Sequence, residues 1–467
     1  MALPAAIPAV SRLRSFADSA SMAANPAKVL SKYSEQLGDT FRFFLGGLQE
    51  AIVTTNPAVI QHVLKTNADN YRKSEIQVKR MGHFLGKGLL TTHGEPWKTQ
   101  RRLIQKGFDR KQLEILSSIM QDSLDETMQE FDRQVALGPV DIYTHLMKMT
   151  FSMVAKSLFG AKLKLEDIEL VSHTICTVQE FIVRQTIQPY LNPWFKVSGS
   201  LRKHEEMRVR ADGILMEYIK KRRLSEPGND LLQILMDARY ADGEGMPDEL
   251  ILSESMQLLV AGHETSSNAL SWVLYLLSTR PNCLERVREE IDAIVGDAPL
   301  TFADVAKFGF TTQVIMEALR LYPPFWMIDR VAVADDRVGD IAIPAGSMVI
   351  VYVYGAHHAG RTWPDPERFD PERFSKANEK LIAPFTHLPF GGGPRGCIGG
   401  NYAMLQILMI LSNLLGRYEL ELTPGQTIEP RPMVILRPKN GIRMTFTAAS
   451  RAKAIARDSP QFNLKSG

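Results

Sequence analysis

Apolar residues recur at helical spacing through most of the chain between residues 94 and 322, and alternate as in strands only in short stretches outside it. Residues 39–55 read as a β-hairpin: Thr40-Phe41-Arg42-Phe43-Phe44-Leu45, a turn at Gly46-Gly47, then Ala51-Ile52-Val53-Thr54-Thr55. Asn56-Pro57 then opens a helix, a capping side chain followed by a proline suited to the first turn. The longest helical pattern runs from Asp248 to Thr279 and, at about 1.5 Å per residue, predicts a rod of roughly 48 Å. Helix continues to Tyr322, where Pro323-Pro324 stops it. Short strands follow over 326–353, with a turn at Pro344-Ala345-Gly346, and then a proline-rich coil from Trp363 to Phe374. A glycine-rich loop around Cys397, a helix from Asn401 to Leu415 and a last set of strands from Tyr418 to Thr447 complete the pattern. The prediction is a mainly helical α+β fold: residues 1–449 form a single catalytic domain, and the polar, basic tail 450–467 is disordered.

Composition narrows the class. An apolar fraction of 45% and a charged fraction of 23% over 467 residues belong to a folded globular protein. Cys176, Cys283 and Cys397 are too few and too scattered for a disulfide framework or a zinc site, which favours reducing, cytoplasmic surroundings. Met1 to Val10 is apolar but interrupted by Pro4 and Pro8, and its basic residues (Arg12, Arg14) follow rather than precede it. That order predicts neither a membrane anchor nor a signal peptide. A net charge of +3, with no basic run interleaved with aromatics, gives no sign of nucleic-acid binding.

The most informative stretch is Phe390-Gly391-Gly392-Gly393-Pro394-Arg395-Gly396-Cys397-Ile398-Gly399. Glycines let backbone amides close around a sulfur, which lowers the thiol pKa and keeps the anion available to a metal. The alternative is a phosphate loop ahead of a helix, but that asks for a Lys-Ser/Thr pair where this chain has Asn401-Tyr402.

Three further constellations each admit two readings. Ala261-Gly262-His263-Glu264-Thr265 lies mid-way along the longest helix. Glycine beside a hydroxyl residue lets a helix open locally, leaving room for a small ligand and a proton-handling pair in Glu264 and Thr265. Alternatively Thr265 bonds back to its own turn and Glu264 is solvated. Glu317 and Arg320 are three apart on one helix face amid apolar residues. They form either a surface pair or, if buried, a structural ion pair wanting a further partner such as Arg373. Trp97 and Arg101 share a face on which indole N–H and guanidinium could both meet a carboxylate, or Trp97 is simply core.

Taken together and in this order, these segments resemble the cytochrome P-450 superfamily of haem-thiolate monooxygenases over nearly the whole chain. The Cys397 loop matches the family's Phe-x-x-Gly-x-Arg-x-Cys-x-Gly signature, and Ala261 to Thr265 matches its oxygen-binding segment. Glu317 with Arg320 matches its Glu-x-x-Arg pair, and Phe369 to Phe374 the segment supplying a second arginine, Arg373. The resemblance implies a long central helix over haem b, with the cysteine loop beneath and Cys397 as the axial iron ligand. Phe390, Ala261, Gly262 and Gly399 would line the cofactor, while Trp97, Arg101, Arg330 and Arg395 would reach its propionates. Departures are few: Lys106 stands where many relatives have proline, and His358-Ala359-Gly360 replaces a commoner Arg-Asp-Pro. His263, at the variable position of the oxygen-binding segment, is expected at the surface or behind the site.

The implied activity is insertion of one atom of dioxygen into a small organic molecule, by hydroxylation, epoxidation or oxidative O-dealkylation, with Glu264 and Thr265 relaying protons. No reductase domain is visible. The resemblance therefore implies electrons from a ferredoxin or flavodoxin-type donor with its NAD(P)H-dependent reductase, steered by basic residues Lys98, Arg101, Arg102 and Lys106. The rival classes are a haem-thiolate isomerase or peroxygenase without a donor, and a non-catalytic haem or gas binder. By family position, segments 75–90, 172–200, 257–265 and 324–328 would line the substrate cavity. Phe84, Phe181, Phe325, Trp326, Met327 and Ile328 favour a hydrophobic substrate, with His83, Arg184, Gln185 and Gln188 as polar candidates.

Overall fold

The fold is set by which helices have no polar face. A computed structural model describes residues 7–160, 164–296 and 298–449. The tail 450–467 and the first six residues, on which the disorder and anchor expectations fall, lie outside them. The principal helices are α1 (Gly94–Gln105), α2 (Arg110–Val135), α3 (Ile142–Phe159), α4 (Leu165–Ile187), α5 (Asp248–Ser278), α6 (Phe310–Leu321) and α7 (Gly400–Arg417). Helix α5 is buried on nearly every side from Ile251 to Leu277, polar residues such as Glu254, Gln257 and Asn268 included. It runs through the main core beside α3, α6 and α7. No helix among the described residues is long and apolar enough to cross a membrane.

The predicted hairpin is present as β1 (Thr40–Leu45) and β2 (Gln49–Thr54), paired antiparallel from Thr40–Thr54 to Leu45–Gln49. Three further strands extend it, β3 (Tyr71–Arg72), β4 (Ile328–Ala332) and β5 (Met348–Val351), in the order β1-β2-β5-β4-β3. Strand β5 lies parallel to β2, a long-range pairing that local pattern does not reveal. A two-stranded ribbon, β6 (Pro430–Pro432) with β7 (Leu436–Pro438), reaches back to the core. Its Leu436 N–H donates to the Pro324 carbonyl at 2.9 Å. The expected helix after the hairpin is Pro57–Gln61, with Asn56 Oδ1 accepting from the N–H groups of Ala58 and Val59. It runs into a π-helical turn, His62–Thr66, that periodicity gave no reason to expect.

Candidate active site

Backbone geometry, more than side chains, shapes the Cys397 loop. Gly391 and Gly393 hold φ of +68° and +67°, a region that strains residues with a Cβ. A Cβ on Gly393 would also lie 1.8 Å from the Leu64 carbonyl oxygen, so the loop nests directly on the π-helical turn. Asp336 ties that turn down: its carboxylate bonds His62 Nε2, Asn67 Nδ2 and the Tyr71 hydroxyl at 2.9, 2.9 and 2.8 Å. Within the loop, Cys397 N–H donates to the Phe390 carbonyl at 2.8 Å. The Phe390 ring packs on Gly400, and Gly399 faces Phe108. The Cys397 side chain is accessible, yet desolvation pushes its thiol pKa up, opposed by the Gly399 N–H and by Arg101.

One buried and three half-buried cations gather near this loop. Arg330 is 8% exposed, and its guanidinium donates to the Asp329 carbonyl at 2.7 Å. Arg395 lies over the Trp97 ring, 3.9 Å from its centroid, and donates to the Thr92 carbonyl at 3.3 Å. Arg101, one turn along α1 from the buried Trp97, stands 6.0 Å from the same ring. Lys73 donates to the carbonyls of Leu89 and Leu90. Among the described residues none of these four has an ion-pair partner. Burial, then Arg330 and Arg101, push the Arg395 pKa down to about 10. Burial, then Arg395 and Arg330, hold Lys73 well below the ordinary lysine range. His93 is lowered by burial and by Arg395, Arg72 and Lys73. Asp329 acts on Arg330 and Lys73, and Glu254 on Lys73, but two carboxylates leave four cations with an excess of positive charge. Poorly compensated charge is destabilising away from water, so the cluster suits a further anion. A thiol that can bind iron, facing cations that can bind carboxylates, fits a haem with its propionates. Lys73 and His93 escaped the sequence reading. Arg72-Lys73-Ser74 looks like any polar surface stretch, and only the carbonyls of residues 89–90 draw the half-buried lysine inward.

The 85–92 segment is clamped to α5 by the polar side chains of that helix. Gln257 donates to the carbonyls of Leu85 and Gly86 at 3.1 and 3.2 Å and accepts from the Leu90 N–H at 2.6 Å. Glu254 accepts from the Leu89 N–H at 3.0 Å. A Cβ on Gly86 would fall 2.2 Å from Ser253 Oγ, and one on Gly88 2.7 Å from the Gln257 amide.

Further along α5 the expected opening does not occur: the helix is continuous through Ala261–Thr265, and Thr265 Oγ1 donates to the Ala261 carbonyl at 2.8 Å. Gly262 has a packing reason, since its Cβ would come 2.9 Å from Val154 of α3. Of the two positions open to His263, the interior one is taken. It is fully buried, bonded to the Leu259 carbonyl at 2.6 Å and set edge-on to Phe151, with its pKa lowered by burial to about 4. Glu264 is likewise buried, not solvated, and burial raises its pKa to about 7.

Glu317 and Arg320 are both 0% exposed. Arg320 Nε and Nη2 meet the two carboxylate oxygens at 2.7 and 2.8 Å, a bidentate pair. Arg320 Nη1 donates to the His357 carbonyl at 2.8 Å. Glu317 Oε1 also accepts the Asp370 N–H at 2.9 Å, and Arg373 Nε lies 3.5 Å away. The network clips α6 to the proline-rich coil that leads into the cysteine loop.

Of the expected cavity residues, Phe84 and Phe181 meet edge to face 6.0 Å apart and form a buried cluster with Phe195. Trp326 belongs elsewhere: it is core, and its Nε1 donates to the Met433 carbonyl at 2.8 Å. Phe325 and Met327 are accessible. His83 pairs with Glu205 on an exposed edge, Arg184 lies over the Phe195 ring, and the Gln185 carbonyl receives Arg80.

Thiol and cations together describe a haem protein, and comparison with known sequences narrows the class. The chain belongs to the cytochrome P450 family, whose model matches residues 4–446. It is 31% identical over 391 residues to the cyclooctat-9-en-7-ol 5-monooxygenase of Streptomyces melanosporofaciens, covering 82% of this chain and 83% of that protein. It is 29% identical to the ultra-long-chain fatty acid omega-hydroxylase of Homo sapiens over 85% of this chain and 80% of that one. The crystal structure of a cytochrome P450DA heme domain shares the fold, with a TM-score of 0.84, 20% identity and coverage of 96% and 98% of the two chains. The protein is a cytochrome P450 monooxygenase, a haem-iron oxidoreductase that needs a substrate, dioxygen and a redox partner.

Proposed function

We propose that Cys397 is the thiolate ligand of the haem iron and that Arg101, Arg330, Arg395 and Lys73, beside Trp97, hold its propionates. Phe390, Gly399, Ala261 and Gly262 would flank the ring. The observation that carries this reading is the Cys397 loop, shaped by positive-φ glycines, beside a cluster of cations that have no ion-pair partner among the described residues. Bound haem supplies oxygen activation, which thiolate ligation favours; the remaining work falls to side chains of α5. Thr265 uses its one hydroxyl proton on the Ala261 carbonyl, which leaves its lone pairs to accept from a proton-carrying water. Glu264, titrating near neutrality, can both give and regain a proton at working pH.

A Thr265→Ala substitution tests this assignment. Product formed per electron pair should fall by about 100-fold with peroxide released instead, the low end of the contribution of positioned proton transfer. Undiminished coupling would reject the assignment. The substrate is a hydrophobic small molecule, supported by the Phe84–Phe181–Phe195 cluster and by the two relatives, which by name act on cyclooctat-9-en-7-ol and on a fatty acid.

The electron donor is a small acidic ferredoxin or flavodoxin-type protein. Lys98 contributes less than expected, because Asp69 and Glu95 lie 3.7 and 3.2 Å from its ammonium. Arg102 and Lys106 are exposed and, among the described residues, have no ion-pair partner. Reversing both charges should slow reduction by an acidic donor about tenfold at low salt. The difference should shrink as ionic strength rises. Stopped-flow reduction kinetics that ignore the substitutions would remove this face as the docking site.

A further inference from the structure

Asp336 grips more of the molecule than a single turn needs. It opens a two-stranded ribbon, Asp336–Val338 with Ile341–Ile343, on the chain between β4 and β5. Its Oδ2 accepts from His62 Nε2 and Asn67 Nδ2, each at 2.9 Å, and from the Tyr71 hydroxyl at 2.8 Å. Its Oδ1 accepts the Arg337 N–H at 2.8 Å, and the side chain is only 11% exposed. Burial works against the charge, yet the bonds from Tyr71, His62, Arg337 and Asn67 hold the carboxyl well below its usual range. Bonds to a fixed anion are the stronger kind.

Each partner leads to a group assigned to haem. His62 and Asn67 stand at the two ends of the π-helical turn, where the Asn67 N–H donates to the His62 carbonyl at 2.9 Å. Between them Leu64 presents the carbonyl on which Gly393 is seated. From there the path to sulfur is short: the Gly396 N–H donates to the Gly393 carbonyl at 3.0 Å, and Cys397 is the next residue. Val63 and Leu64 also share a buried cluster with Leu388, at the head of the cysteine loop. In the other direction, Tyr71 of β3 pairs with Ala332 of β4. Arg330 lies two residues before Ala332, and Lys73 two residues after Tyr71, so both cations hang from that pairing.

We infer that Asp336 is a positioning residue for the oxygenase reaction: by holding His62, Asn67 and Tyr71 together, it fixes the cysteine loop and the propionate cations relative to one another. The inference rests on the reading of Cys397 as the iron ligand. Asp336 acts only through other groups, the Leu64 carbonyl on one side and the β3–β4 pairing on the other. Partners beyond a metal's own ligands orient those ligands and tune the metal. A loosened turn should therefore let the sulfur drift from its set orientation and weaken its donation to iron. Weaker thiolate donation favours the reduced state, so the reduction potential should rise.

Three substitutions in the holoenzyme separate positioning from bulk stability and from charge. Asp336→Asn removes the anion, whereas Tyr71→Phe removes one of its bonds and keeps both the ring and the net charge. Asp230→Asn is the control. Asp230 is a buried carboxylate that pairs with Arg222 at 2.7 Å and accepts the Gln233 N–H, and it belongs to neither the loop nor the cation cluster. Asp336→Asn and Tyr71→Phe should each raise the reduction potential. Each should also speed loss of the far red-shifted band from the reduced carbon monoxide complex, by about tenfold at a temperature where the protein stays folded. Asp230→Asn should lower the unfolding midpoint and leave both readouts in place. The inference is overturned if Asp336→Asn lowers the unfolding midpoint alone, or if Asp230→Asn speeds band loss equally. A potential that moves in Asp336→Asn but not in Tyr71→Phe overturns it too, since charge at a distance then accounts for the shift. Should Asp336→Asn fail to fold, Tyr71→Phe decides. The premise fails separately, through a red-shifted band that persists in Cys397→His. A band lost there but as durable in Asp336→Asn and Tyr71→Phe as in the parent excludes the tie alone.

Discussion

Replacing Cys397 with histidine should abolish the far red-shifted Soret band that the reduced carbon monoxide complex owes to thiolate ligation. Turnover should fall with it, by at least about 100-fold, the upper end of what losing a mere outer partner of a metal ligand costs. The fold should survive, for a structural reason. The loop is held by the Cys397 N–H bond to Phe390, by positive-φ glycines and by the seat of Gly393 on Leu64, none of which involves the sulfur. Haem should still be captured through the cation cluster beside Trp97, so the variant ought to be coloured but spectrally altered. Retention of the red-shifted band by Cys397→His protein would refute thiolate ligation by this residue.

Glu317→Gln should give the largest loss of stability, about 3–5 kcal/mol, as expected when one partner of a buried ion pair is removed. The substitution preserves volume but leaves Arg320, wholly buried, with no neighbouring carboxylate in a bidentate pose. Arg320→Lys should not substitute well, because a lysine cannot serve both Glu317 oxygens and the His357 carbonyl together. Arg373→Ala should cost less, since Arg373 stands 3.5 Å from Glu317 and is 13% exposed. Denaturant unfolding of the three holoproteins gives the order. Equal midpoints for Glu317→Gln and the parent would mean that the buried pair does not hold the coil ahead of the cysteine loop.

Long helices and tight turns could be read from the sequence because their signals are local. The pattern from Asp248 to Thr279 needs only hydropathy, and the β1–β2 hairpin needs only alternation around Gly46-Gly47. The chemistry at Cys397 was equally open, since glycine, arginine and cysteine at fixed spacing define a loop by themselves. What escaped was set by tertiary contact. His263 could not be narrowed to one of its two positions because α5 is buried on most sides, so no exposed face exists to locate a histidine on. Trp326 was assigned to the cavity because an aromatic beside a cavity and one in the core look alike in sequence. Lys73 became a member of the cation cluster only through the carbonyls that cover it. The parallel pairing of β2 with β5 joins residues roughly 300 positions apart, beyond any local signal.

The contact of Gly86 and Gly88 with α5 bears on how such an enzyme can diversify. A side chain at either position would run into Ser253 or Gln257, and moving those residues would release the backbone bonds they hold to 85–90. That wall therefore offers inheritable variation almost nothing to work with. Phe84, Phe181 and Phe195, by contrast, are apolar neighbours in one buried cluster, and volume-conserving exchanges among such residues are well tolerated. New substrate preferences in descendants of this gene should accumulate on the aromatic side, while the glycine side stays as it is.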